Sequence, residues 1–129
     1  MAHSSHPGHA AETLDREHQV QIGLIEALCS SVEQGDGRAG EILDQLIAYS
    51  SAHFMSEELL MRLSGYDEYD DHVADHIHMM DTLNAMTAQQ RLGKSALLLV
   101  QALEILKFIT RHIETRDRRF VESGLGHLA

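Results

Sequence analysis

His53-Phe54-Met55-Ser56-Glu57, followed fifteen positions after Glu57 by His72-Val73-Ala74-Asp75-His76, is the part of the chain on which the reading turns. Each segment holds two metal-ligating side chains four apart, and at about 100° per residue an i, i+4 pair projects from nearly the same side of a helix. Both pairs can therefore grip one target. They also stand in the inward register of their surroundings: His53 continues Leu46 and Tyr49, and His76 leads to Met79 and Leu83. Imidazoles and a carboxylate occupy positions where the pattern calls for apolar side chains. Burying such groups unpaired is costly, above all for a charge, and a metal ion satisfies them together.

Working outward, the helical spacing extends over the whole chain. Leu14, Ile22, Ile25, Leu28 and Val32 form one apolar run from about Ala11 to Gly35-Asp36-Gly37, and His18 sits between Leu14 and Ile22. Ile42, Leu43, Leu46, Tyr49, Leu60 and Leu63 form a second, which ends at Ser64-Gly65, where glycine can adopt the left-handed conformation that closes helices. A third begins near Asp67 and carries Tyr69, Val73, Met79, Leu83 and Met86 as far as Arg91-Leu92-Gly93. Leu97, Leu98, Ala102, Ile105, Phe108, Ile109 and Phe120 make the fourth, with His112 following in the same register. Four such helices joined by short loops predict an all-α, up-down-up-down antiparallel four-helix bundle over residues 11–129, preceded by a flexible polar segment over 1–10.

The level of each ligand along the bundle is a separate test. His18 and His53 stand equally far from the loop centred between residues 35 and 36. Reflection about residue 65 sets the His53/Glu57 pair against His72 and His76, and reflection about residues 92 to 93 sets His72 against positions 112 to 114. All four helices converge on one layer. The remaining carboxylate, Asp117, is five positions after His112 and falls about 140° beyond a full turn, whereas Glu114 points almost opposite to His112. Asp117 reaches the layer only if the helix carries a π-bulge there or the side chain makes a long reach.

Five histidines and two carboxylates exceed the needs of one ion, and carboxylates bridge two. An imidazole-rich set with bridging oxygens suits iron better than magnesium or calcium, and zinc takes fewer ligands; manganese or a mixed pair stays open. The remaining composition fits this reading. The chain has 129 residues, enough for one domain, with 20 Asp and Glu against 10 Lys and Arg for a formal charge of -10, which argues against nucleic acid as a partner. No run of about 18 apolar residues and no apolar leader is present, so no membrane insertion and a cytoplasmic location are expected. Cys29 is the only cysteine and reads as a small buried hydrophobe. Of the ten histidines, His3, His6 and His9 belong to the polar segment, and His78 and His127 read as surface residues.

A single His on the first helix (His18), HxxxE (His53, Glu57), HxxxH (His72, His76) and HxxxxD (His112, Asp117), in that order, resemble hemerythrin. The surrounding His53-Phe54-x-x-Glu57-Glu58-x-Leu60-Met61 and Tyr66 are similar to its bacterial branch, over about residues 12 to 121. An isolated HxxxH is weak; four elements in order are specific. The absence of tryptophan and the presence of Asp67 where many bacterial members have proline are departures that bear on the N-terminal segment and the turn after the second helix. The resemblance implies an oxo- or hydroxo-bridged pair of iron ions. His72, His76 and His112 would hold one and His18 and His53 the other, with Glu57 and Asp117 bridging and an open position on the two-His ion. It implies reversible binding of dioxygen without a general base, and therefore no enzyme, in an apolar pocket for which Ile22, Phe54, Met80, Phe108 and Ile109 are the candidates. The same site chemistry serves an oxygen- or nitric-oxide-sensing domain of a longer signalling protein, or a di-iron redox enzyme that reduces peroxide or nitric oxide or donates iron, with a signalling or redox partner not yet identified. A monomer is expected.

Overall fold

The computed structural model describes residues 5–123, with side chains over 12–123. The expectations for the His3, His6 and His9 side chains and for His127 lie outside the described residues. Four long helices, α1 (Ser5–Gln34), α2 (Ala39–Ser64), α3 (Tyr69–Arg91) and α4 (Ser95–His112), are followed by a π-helical turn, Ile113–Asp117, and a short α5 (Arg118–Ser123). Helix α1 packs on α2, α2 on α3, α3 on α4, and α4 closes back on α1, which is the up-down-up-down bundle the four apolar runs predict. The first helix begins at Ser5, ahead of Ala11 where its apolar spacing starts.

Punctuation in the sequence sets the loop positions. Gly65 takes φ 65°, and this left-handed residue lets Tyr66 N–H reach back to Met61 C=O at 3.0 Å, closing α2 so that α3 can return antiparallel. Between α1 and α2, Asp36 Oδ1 accepts from Arg38 N–H at 3.0 Å and from the Ser31 hydroxyl, holding a turn whose glycines at 35 and 37 both have positive φ.

The core lies in two blocks. The larger, towards the α1/α2 and α3/α4 loops, is built from Ile25, Leu28, Leu43, Leu46, Met79, Leu83 and Ile105 with their neighbours, Cys29 among them. The smaller, towards the α2/α3 turn, is Leu14, Met61 and Phe120. Two residues of the predicted apolar runs lie outward instead: Leu63 in the last turn of α2 and Leu97 in the first turn of α4 are 66% and 42% exposed, because helix ends project beyond the packed interior. Between the two blocks lies a layer of buried polar side chains. Among the described residues no helix is long and apolar enough to cross a membrane.

Candidate metal centre

The polar layer consists of the seven residues the sequence singles out: His18, His53, Glu57, His72, His76, His112 and Asp117 are all buried. Glu57 is fully buried, and each of its oxygens faces a different set of imidazoles. Its Oε1 lies 2.6 Å from His72 Nε2 and 2.9 Å from His76 Nε2, while its Oε2 lies 3.5 Å from Nε2 of both His18 and His53. Asp117 divides the same way, with Oδ1 2.7 Å from His72 Nε2 and 3.0 Å from His112 Nε2, and Oδ2 2.9 Å from His18 Nε2. Two groups result. Donor atoms of Glu57, His72, His76, His112 and Asp117 lie within 4.8 Å of one another, and those of His18, His53 and Glu57 form a second such group.

Asp117 arrives by the first of the two routes that its spacing leaves open, a π-turn. The helix widens into the π-turn immediately after His112, and the extra residue in that turn absorbs the fifth step, so that Asp117 and Phe120 both remain on the buried face. Thr115 Oγ1 donates to Arg111 C=O at 2.7 Å inside the turn. Glu114, which the spacing directs away from the layer, is exposed.

The donor set fits a pair of cations bridged by carboxylates. His112 Nε2 and Asp117 Oδ1 are buried and lie 3.0 Å apart, yet neither has a hydrogen-bond partner among the described residues, because they approach outside hydrogen-bonding angles. Orphaned donor atoms at that separation are what ligands to a shared ion present. Charge is distributed accordingly. Burial alone would lower the His18 and His72 pKa values, but contacts with the Asp117 and Glu57 carboxylates overcome it and push each up to about 9. Burial works against the carboxylates too, yet the imidazoles around them hold Glu57 and Asp117 well below the ordinary carboxylate range. Without metal, protons take the place of cations between the two carboxylates.

Three further carboxylates support the imidazoles from outside. Glu17 Oε1 accepts from His53 Nδ1 at 2.6 Å, Glu58 Oε2 from His76 Nδ1 at 2.8 Å, and Asp75 Oδ2 from His112 Nδ1 at 2.9 Å. Each fixes a proton on Nδ1 and turns Nε2 inward, which orients a metal-binding histidine. Asp75 is in turn held by Arg116 Nε at 2.8 Å, from within the π-turn. Sequence reasoning missed all three, since each neighbours a layer residue in sequence and reads as solvent-facing; the signal was a carboxylate beside each of three ligands. Tyr49, one turn before His53, makes no hydrogen bond to an imidazole among the described residues, and Glu17 is the partner of His53 Nδ1. Also unforeseen is a buried polar pair one turn from His18 and His53, where Gln21 Nε2 donates to Ser50 Oγ at 2.8 Å.

The expected apolar wall is divided. Phe54 is buried and stacks on the His76 ring with centroids 4.1 Å apart, and Ile109 is buried in the larger core block. Ile22 and Met80 are partly buried against that block. Phe108 also packs there but sets its ring against the exposed His78, 4.6 Å between centroids.

Against known proteins, the chain is 23% identical over 107 residues, 82% of each sequence, to a protein named bacteriohemerythrin from Methylococcus capsulatus. No solved structure matches it significantly. Residues 9–122 match the family described as the Hemerythrin HHE cation binding domain. With that match covering most of its length and the His/carboxylate layer within it, the chain belongs to the hemerythrin family.

Proposed function

We propose that this protein binds dioxygen reversibly at a carboxylate-bridged di-iron centre, as a carrier, store or sensor rather than as an enzyme. The observation that carries the reading is the division of donors about Glu57 and Asp117: each carboxylate presents one oxygen to the His72 side of the layer and the other to the His18 side. His72, His76 and His112 would hold one ion, His18 and His53 the other, with Glu57 and Asp117 between them. An iron pair bound there supplies two electrons and, on the side with only two histidines, a coordination position free for a diatomic ligand.

The chain's own residues supply the rest. Glu17, Glu58 and Asp75 orient the imidazoles. Phe54, packed between His53 and His76, excludes water from that flank, and Ile109 with the larger core block closes the end of the layer. No side chain is required to abstract a proton from substrate, which is why binding rather than turnover is the reading. We take the protein to act as a single chain in the cytoplasm.

A second reading, a di-iron redox enzyme acting on peroxide or nitric oxide, draws support from a cleft that reaches His18 and Asp117 from the surface. Turnover needs such a solvent path. Admitting and removing oxygen over the anaerobically reduced, iron-loaded protein separates the two. A visible charge-transfer band that comes and goes with oxygen supports reversible binding. Immediate conversion to a stable ferric spectrum, with steady turnover of added reductant, supports the enzyme.

A further inference from the structure

One polar pair in the core stands apart from the seven layer residues. Gln21 and Ser50 are 1% and 0% exposed, and Gln21 Nε2 donates to Ser50 Oγ at 2.8 Å. Gln21 follows His18 by three positions on α1 and Ser50 precedes His53 by three on α2, so both lie one turn from these imidazoles, towards the α1/α2 loop. The equivalent turn on the other two helices is apolar: Met79, three after His76, and Ile109, three before His112, are both buried. The pair therefore borders the two-His half of the layer and not the three-His half. The layer carboxylates reach the two-His half from the opposite end. Glu57 is four residues beyond His53 and Asp117 five beyond His112, both towards the α2/α3 turn, and each sets one oxygen against His18 Nε2. The side facing the α1/α2 loop is left to Gln21 and Ser50. Their donors are not used up. An amide nitrogen carries two protons and a hydroxyl one, and Gln21 Nε2 directs one of its two to Ser50. Neither its second proton nor the Ser50 hydroxyl proton has an acceptor among the described residues. Stability does not account for such a pair, since replacing both partners by apolar groups of the same shape is nearly neutral or even stabilising.

We propose that Gln21 and Ser50 donate hydrogen bonds to a small ligand bound on the His18/His53 side, one whose outer atom accepts them, such as dioxygen, nitric oxide or azide. The proposal rests on the di-iron reading of the layer and makes the pair a determinant of which small ligands are held there. Ligands that carry or gain negative charge on binding are favoured, because a hydrogen bond to a charged acceptor in a dry, low-dielectric site is stronger than one to a neutral group.

Azide titrated into the diferric protein, followed through its charge-transfer absorption and its infrared antisymmetric stretch, tests this. The variant Gln21→Met/Ser50→Ala keeps the shape of both side chains and removes both donors. Its Kd for azide is expected to rise about 10- to 100-fold, with iron content unchanged and the metal-free protein melting no lower than its parent. The azide stretch should shift in heavy water for the parent and not for the variant, a readout that packing alone would not move. Unchanged azide affinity in an iron-replete variant, or a solvent-isotope shift that survives in it, overturns the proposal. Should the double variant not fold, Ser50→Ala alone carries the same test. A parent that holds no iron, or holds iron and takes up no azide, would overturn the di-iron reading instead, a result distinct from either of these.

Discussion

Glu57 and Asp117 carry negative charge into a layer flanked on both sides by apolar side chains, and everything around them answers that charge. His18 and His72 do so in two ways, as imidazolium ions when metal is absent and as neutral ligands when it is present. The pH dependence follows from the sign of each shift. His18 and His72 titrate near 9 when folded and 6.5 when not, so their contribution to stability is complete below pH 6.5 and is lost as pH rises towards 9. Glu57 and Asp117 are depressed, so theirs is present above their ordinary values of 4.5 and 3.8 and fades as pH falls. Metal-free protein should therefore be most stable between about pH 4.5 and 6.5, and thermal melting should fall from there to pH 9. With metal bound the alkaline loss should vanish, because the imidazoles then need no proton. Equal alkaline loss in both forms would count against this assignment of protons. Asp75 provides a second check at this scale. Asp75→Asn keeps the shape but weakens the hold on His112, and metal affinity by competition titration should drop about 10- to 100-fold; unchanged affinity would reduce Asp75 to a surface residue. Six of the seven layer residues were legible because helical spacing and loop reflection are geometric, whereas Asp117, which breaks that spacing, was legible only through the resemblance. Glu17, Glu58 and Asp75 were not, because a neighbour in sequence is rotated about 100° on a helix, and only the packing of the adjacent helix shows whether that direction meets solvent or an imidazole.

The π-turn shows how local chain geometry serves the layer. An α-helix cannot present His112 and Asp117 on one face, and the spacing alone made a widened turn one of two solutions. Which solution the chain takes depends on Phe120, buried three positions beyond Asp117 in the smaller core block: a mere long reach by the aspartate would leave Phe120 out of register. A π-turn is one residue inserted into an α-helix. Deleting the exposed Thr115 should therefore restore α-helical geometry while keeping Arg116, Asp117 and Phe120 on their present faces. The deletion variant is expected to fold, to melt without metal at no lower temperature than its parent, and to keep its metal count. Loss of metal equal to that of Asp117→Ala, read by elemental analysis, would mean that the wide turn itself, and not the face it restores, positions the aspartate.

For the whole molecule, the cost of the site is a core in two pieces. Ile25 and its neighbours pack on one side and Leu14, Met61 and Phe120 on the other, with seven ionisable groups between. A bundle divided in this way gains its coherence from whatever fills the layer. Denaturation by urea at free metal a thousandfold above Kd should show about 4 kcal/mol more stability than with a chelator, and an equal midpoint in both would mean that the layer is satisfied without metal. The bundle was legible from its four apolar runs and their glycine-marked ends. The outward Leu63 and Leu97 were not, since periodicity reports which face a residue shares and not how far along the helix the packing extends.

The most direct test of the central claim is the iron content of the anaerobically reconstituted protein, measured together with its Mössbauer spectrum after oxidation. The account predicts two irons per chain, antiferromagnetically coupled through the bridging ligands, and a fall in that count for Glu57→Ala or Asp117→Ala. A single iron per chain, or two that are magnetically independent, would contradict it.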